Sequence, residues 1–287
     1  MKNRVNTKGI VLAVLAACFY AINAPFSKLL LKTIPSACLA GLLYIGAGAG
    51  MFFIMFFSKK STAEKKLEKK DLPFVIGMIL LDIAAPICLL VGLSRTSPEN
   101  AALLNNFEIV ATSIIAYFIF KEKISKRLAA AIVIITAASV LLSFENIQSL
   151  KFSEGSFFVL MACICWGFEN NCTKKLSGKN PCEIVVVKGL CSGTGSLVIG
   201  LVSGEKLIPG REILYALLLG FTAYGLSITC YIYAQRYLGA ARTSSYYALA
   251  PFISVAASFI VFKNHPGIIF IIALILMIIG AVLIPKE

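Results

Sequence analysis

The sequence predicts an all-α integral membrane protein of ten transmembrane helices, built as a five plus five inverted repeat with both termini in the cytoplasm. Three observations carry that reading. The 287 residues are 59% hydrophobic and only 14% charged, with a mean hydropathy of +0.87, against about half apolar and a quarter charged in soluble domains. Apolar runs of about 18 residues or more recur ten times, each near the length that crosses about 30 Å of hydrocarbon. A short polar pattern also occurs twice, about 146 positions apart: Tyr20, Asn23, Ser27 and Lys28 return as Trp166, Glu169, Thr173 and Lys174, the mark of an internal repeat.

The runs fall at 10–31, 36–57, 73–93, 100–120, 128–144, 155–174, 181–203, 212–234, 241–262 and 267–285. The first follows Lys2, Arg4 and Lys8, which resemble a signal peptide's basic start. Its apolar stretch continues to Leu31 without a small-residue cleavage site, so it reads as a retained helix. The second and seventh carry Gly46, Gly48 and Gly50, and Gly193 and Gly195. These lack the Lys-Ser/Thr ending of a phosphate loop and mark close helix contacts instead. The third holds Asp82 and Pro86, the fourth Asn105, Glu108 and Thr112, and the fifth is the shortest. The sixth opens at Gly155 as the first opens at Gly9, and carries the cluster Glu169, Asn170 and Asn171. Lys188 lies in the seventh, Tyr224 and Tyr231 in the eighth, and Tyr246, Tyr247 and Pro251 in the ninth. Pro25, Pro86 and Pro251 are candidate kinks.

The repeat extends past its first helix. The stretch from Ala101 through Glu108 to Phe120 and Lys121 is matched by that from Thr243 through Ala250 and Pro251 to Phe262 and Lys263. Residues 1–145 therefore form one five-helix repeat and 146–287 the second. Five spans is an odd number, so the second copy enters from the opposite side, the inverted arrangement in which a central site can open to either face. Most Lys and Arg fall on alternate loops: Lys2, Arg4 and Lys8; Lys59, Lys60, Lys65, Lys66, Lys69 and Lys70; Lys121, Lys123, Lys126 and Arg127; Lys174, Lys175 and Lys179; Arg236 and Arg242; and Lys286. That side is cytoplasmic by the positive-inside rule.

Several functional classes fall away. The net charge of +13 and pI near 9.4 come from loop residues rather than one basic face, so no nucleic-acid partner is implied. The nine cysteines show no paired metal or redox spacing, and His265 is the single histidine. No HExxH, GxSxG or nucleotide-binding motif occurs, so neither an enzyme nor a primary pump is indicated, and no cofactor or metal is required. The partners implied are a small-molecule substrate, the lipid bilayer and, as a candidate coupling ion, protons.

The residues most apt to carry transport are polar groups where polarity is costly. A charge near the bilayer centre costs about 2.5 to 3.5 kcal/mol on insertion scales, so Asp82, Glu108, Glu169 and Lys188 must face partners or a watery cavity. Asp82 could carry a cation or a proton, or pair structurally with Lys188. Glu108 shares a face with Asn105 and Thr112, suited to helix packing or to lining a path. Glu169 follows Trp166 by one turn, and an aromatic wall beside a carboxylate suits an ammonium group. Asn170 belongs to the same polar cluster of the sixth span. The corresponding pair in the first copy is Tyr20 with Asn23. Lys188 could hold a carboxylate. Tyr224, Tyr246 and Tyr247 complete the candidate site with rings that have polar tips, while Tyr231 and Tyr233 read as interfacial anchors.

The Tyr20, Ala21, Ile22, Asn23 pattern, its counterpart Trp166 and Gly167, the run Phe107 to Val110 followed by Lys121 and Glu122, and the second-half run Ala240 to Thr243 leading to Ala250, Pro251 and Phe252 resemble the EamA-type transporters of the drug/metabolite transporter superfamily. The resemblance implies ten helices in a five plus five inverted repeat and movement of amino acids, other metabolites or drugs, often outward. The chain departs from that pattern at Ile109, where proline is common, and at Asn264, where an acid is common. The reading is a secondary transporter of the cell membrane that exports small amphipathic metabolites such as amino acids, with organic-cation or drug export as the alternative.

Overall fold

The computed structural model describes residues 2–57, 67–121, 124–146, 151–176, 179–238, 243 and 246–283. Lys59, Lys60, Lys65, Lys66, Glu122, Lys123, Ala240, Ala241, Arg242 and Lys286, which entered the orientation and repeat arguments, lie outside these residues.

The helices are α1 (Lys2–Ala21), α2 (Asn23–Leu30), α3 (Ser36–Phe57), α4 (Leu72–Arg95), α5 (Pro98–Leu104), α6 (Phe107–Phe120), α7 (Lys126–Ser143), α8 (Glu154–Leu176), α9 (Pro181–Val202), α10 (Arg211–Gly220), α11 (Ser227–Leu238), α12 (Ala250–Phe262) and α13 (Ile268–Leu283). Among the described residues, seven helices are long and apolar enough to cross a membrane, and Ala250–Phe262 and Ile268–Leu283 are shorter apolar helices. This is an all-helical membrane protein, but fewer segments than ten qualify by length and composition. The reasons are local: α8 carries the polar run Glu169, Asn170 and Asn171 within its apolar stretch, and α12 has only 13 residues, about 20 Å at 1.5 Å per residue. A second departure from the all-α reading lies between the repeats. Phe144–Asn146 pairs antiparallel with Lys151–Phe152, so the chain passes between the halves through a short hairpin.

Local sequence sets the helix ends. Ser97, Ser125 and Asn180 accept N-terminal N–H groups through their side chains, and Pro98 and Pro181 follow in the first turn, where no N–H is needed. Helices α6 and α12 both end on a lysine in the left-handed region, Lys121 at φ 57° and Lys263 at φ 54°. The same uncommon cap thus closes the same segment of both copies. Each copy also breaks just before that segment, at Asn105 and Asn106 in the first and at Ala248 and Leu249 in the second.

Prolines act next to the polar centre. Each lacks an N–H and releases the carbonyl four residues earlier, which is that of Ala21 for Pro25, Asp82 for Pro86 and Tyr247 for Pro251. The first leaves a break between α1 and α2 at Ile22, whereas α4 runs through Pro86 unbroken. Between α10 and α11 a π-helical turn, Phe221–Leu226, carries Tyr224, a distortion that often marks functional positions.

The helices pack in pairs that join the two copies: α3 with α9, α4 with α8, α1 with α11, and α7 with α13. Glycines allow the closest approaches. A Cβ added at Gly48 would lie 2.6 Å from Leu190 N, and one at Gly193 would lie 2.7 Å from Ile45 N. Because Gly41 meets Leu197 and Gly48 meets Gly189, α3 and α9 run antiparallel. Gly92 against Gly155 and Gly77 against Cys172 place α4 and α8 antiparallel as well, along most of their lengths.

Candidate functional site

Of the polar residues singled out in the sequence, Asp82, Glu169 and Lys188 meet in a charged cluster and Asn23 and Tyr224 in a neutral one. In the charged cluster Lys188 of α9 lies between two acids, with Nζ 2.9 Å from Asp82 Oδ2 on α4 and 3.0 Å from Glu169 Oε1 on α8. Asp82 is fully buried and Glu169 is 2% exposed. Burial of this kind requires charges to be paired. The Thr173 hydroxyl, one helical turn from Glu169, donates to the same Oε1.

The neutral cluster joins α2 to the π-helical turn, where Asn23 Nδ2 donates to Tyr224 OH at 2.9 Å and Ser27 Oγ donates to Asn23 Oδ1 at 3.0 Å. The hydroxyl of Ser27 thus serves Asn23 as that of Thr173 serves Glu169, in the two positions that the repeat equates. Tyr44 of α3 bridges the clusters. Its hydroxyl donates to Asp82 Oδ1 at 3.0 Å, and its ring lies 5.1 Å from that of Tyr224.

An aromatic row continues from there. Tyr20 stands edge-on to Tyr224 at 6.0 Å and packs on Tyr247 at 5.9 Å, and Tyr247 meets Tyr231 at 5.0 Å. A narrow cleft beside this row is lined by Tyr20, Asn23, Ala24, Ala102, Asn105, Pro251 and Ser254. It has room for about one water molecule. Asp82, Glu169, Asn23 and Tyr224 are all buried, so this conformation holds the polar centre away from water.

Glu108 and Asn170 meet elsewhere. Asn170 Nδ2 donates to Glu108 Oε1 at 2.7 Å and to Thr112 Oγ1 at 3.2 Å, and Asn171 donates to the backbone of Gly167 and Thr112. The shared face of Glu108 and Thr112 thus binds α6 to α8 as a polar joint between the copies. Asn105 turns toward Cys163 and the cleft. Among the described residues the ring contacts run through Tyr247; Tyr246 is partly buried at the preceding position. Tyr231, expected at an interface, faces inward onto Tyr247, whereas Tyr233 is 42% exposed. Tyr44 went unrecognised among apolar neighbours, although a lone tyrosine near the centre of an apolar span is a usable signal. Asn264, where the acid is missing, donates to the buried Glu99 at 3.1 Å, a bond that an ionised acid could not make. No three His, Cys, Asp or Glu side chains converge as a metal site among the described residues.

The sequence matches the EamA-like transporter family twice, over residues 7–144 and 153–285. It is 26% identical to an uncharacterized transporter of Methanothermobacter thermautotrophicus over 95% of this chain and 84% of that one. It is 22% identical to the uncharacterized transporter YyaM of Bacillus subtilis over 82% of this chain and 80% of that protein. A crystal structure at 15% identity superposes with a TM-score of 0.71 over 96% of this chain and 94% of that one, which shows a shared fold. With two matching repeats across nearly its whole length, the chain is a multi-pass membrane transporter and belongs to the EamA-like transporter family.

Proposed function

We propose that the protein is a secondary transporter in which two inverted five-helix repeats, 1–145 and 146–287, open alternately around the Asp82, Lys188 and Glu169 cluster to move a small amphipathic amine. The antiparallel pairing of α3 with α9, two helices in equivalent positions, supports the inversion. The antiparallel run of α8 along α4 supports a crossing by α8 despite its charges, and hence a frame of ten spans.

The observation that carries the substrate class is the occupation of Lys188 by two acids at 2.9 and 3.0 Å. An amino acid would need this lysine for its carboxylate, and here the lysine is already engaged. With two carboxylates on one ammonium and an aromatic row beside them, the cluster suits an incoming cation better than an anion. Organic-cation or drug transport therefore gains over amino-acid transport, and the acids are also the groups that would exchange protons if the cycle is proton-coupled. Outward direction rests on the family resemblance.

Proteoliposomes test this reading. Saturable counterflow of an aromatic or alkyl amine is expected, with weaker counterflow of the matching zwitterion and loss of activity in Glu169→Gln. Normal transport by both Glu169→Gln and Lys188→Met would remove the cluster from the mechanism, and preference for the zwitterion would return the reading to amino acids.

A further inference from the structure

Helices α3 and α9 have 22 residues each, about 33 Å at 1.5 Å per residue, and each end of this antiparallel pair carries a polar joint between the copies. At one end α9 stops at Gly204, whose φ of +84° is a left-handed conformation natural to glycine. Glu205 N donates to Gly200 O and Gly204 N to Leu201 O, a Schellman closure. This turn points Glu205 back at the start of α3. Its two carboxylate oxygens accept from Ala37 N at 3.2 Å and Cys38 N at 2.8 Å, where free N–H groups and the helix dipole favour an anion.

At the other end the roles of the copies reverse. The chain that follows α3 presents Glu68 and Asp71 to Lys179, just before α9, at 2.8 Å each. Leu67 N also donates to Glu183 in the first turn of α9, at 3.2 Å. Lys179 first and Lys70 second hold the Glu68 carboxyl below its ordinary range, so the pair stays charged at neutral pH.

In each joint, then, the segment leaving one helix of the pair grips the start of the other. We propose that the joints at Glu205 and at Lys179 are the two gates of the transport cycle, each closing one membrane face and each broken when that face opens. Both are closed here. The proposal rests on the alternating-access reading above, and it assigns the faces: the Lys179 gate lies on the basic, cytoplasmic side and the Glu205 gate on the opposite side.

Cys38 lies fully buried beside Glu205, so a Glu205→Cys variant can be joined to it by a short bis-methanethiosulfonate linker, with the link assigned by peptide mass spectrometry. Linked protein should lose counterflow by roughly tenfold and regain it on reduction, as expected when a gate that must open is held shut. Counterflow by the linked protein at the unlinked rate would overturn the proposal.

A second measurement does not depend on transport. In Glu205→Ala, alkylation of Cys38 by a membrane-impermeant maleimide should rise severalfold while the buried Cys163 stays unlabelled. Glu205→Gln replaces that variant if Cys163 labels as well. Unchanged Cys38 labelling in folded protein would overturn the gate, whereas a Cys38 response without counterflow of any substrate by the wild type would instead overturn the transport reading.

Discussion

Lys188 bridges two carboxylates that would otherwise repel each other, and this makes the three residues one unit rather than three sites. Removing one partner of a buried ion pair typically costs about 3 to 5 kcal/mol, whereas exchanging the whole set for neutral groups of similar volume can be nearly free. Lys188→Met should therefore lower the unfolding temperature in detergent sharply. The triple variant Asp82→Asn, Glu169→Gln, Lys188→Met should recover most of that loss yet not transport. A triple variant no more stable than Lys188→Met would show that the residues act independently. The sequence made all three members legible because a charge inside an apolar run is conspicuous. It did not make Tyr44 legible as the partner of Asp82, because Tyr44 differs from other tyrosines only in where the fold directs it.

At the level of elements, the glycines of α3 and α9 set how close the two copies come. A side chain at Gly48 or Gly189 would meet backbone of the facing helix, which cannot rotate away as a side chain can. Overpacking of a well-filled interface costs about 1 to 3 kcal/mol or more, and here it would push apart the helices that carry Tyr44 and Lys188. Gly48→Leu and Gly189→Leu should each give less monodisperse protein on size-exclusion chromatography and a lower unfolding temperature. Gly267→Leu, with no neighbour within 4 Å of its added Cβ, should behave like the wild type; equal damage from all three would refute the packing argument. Glycine spacing announced this contact in the sequence. The hairpin between the repeats and the π-helical turn under Tyr224 were not announced, since both arise from tertiary packing over stretches whose composition reads as ordinary helix or loop.

For the whole molecule, the direction of each helix constrains the number of crossings. Because α3 and α9 run antiparallel, the chain between them must cross the membrane an even number of times. Helix α4, the broken pair α5 and α6, and α7 supply three crossings, so α8 must supply the fourth even though Glu169, Asn170 and Asn171 make it less apolar than the other long helices. The charges of α8 are accommodated differently along its length. Glu154 pairs with Arg95 at 2.7 Å at one end, Glu169 is held by Lys188 in the middle, and Lys175 is exposed near the opposite end. A reporter enzyme active only outside the cytoplasm distinguishes the alternatives. Fused after residue 153 it should be active, and fused after residue 179 it should be silent. Equal activity at the two positions would mean that α8 does not cross, and the inverted frame, with both gates assigned from it, would fail together.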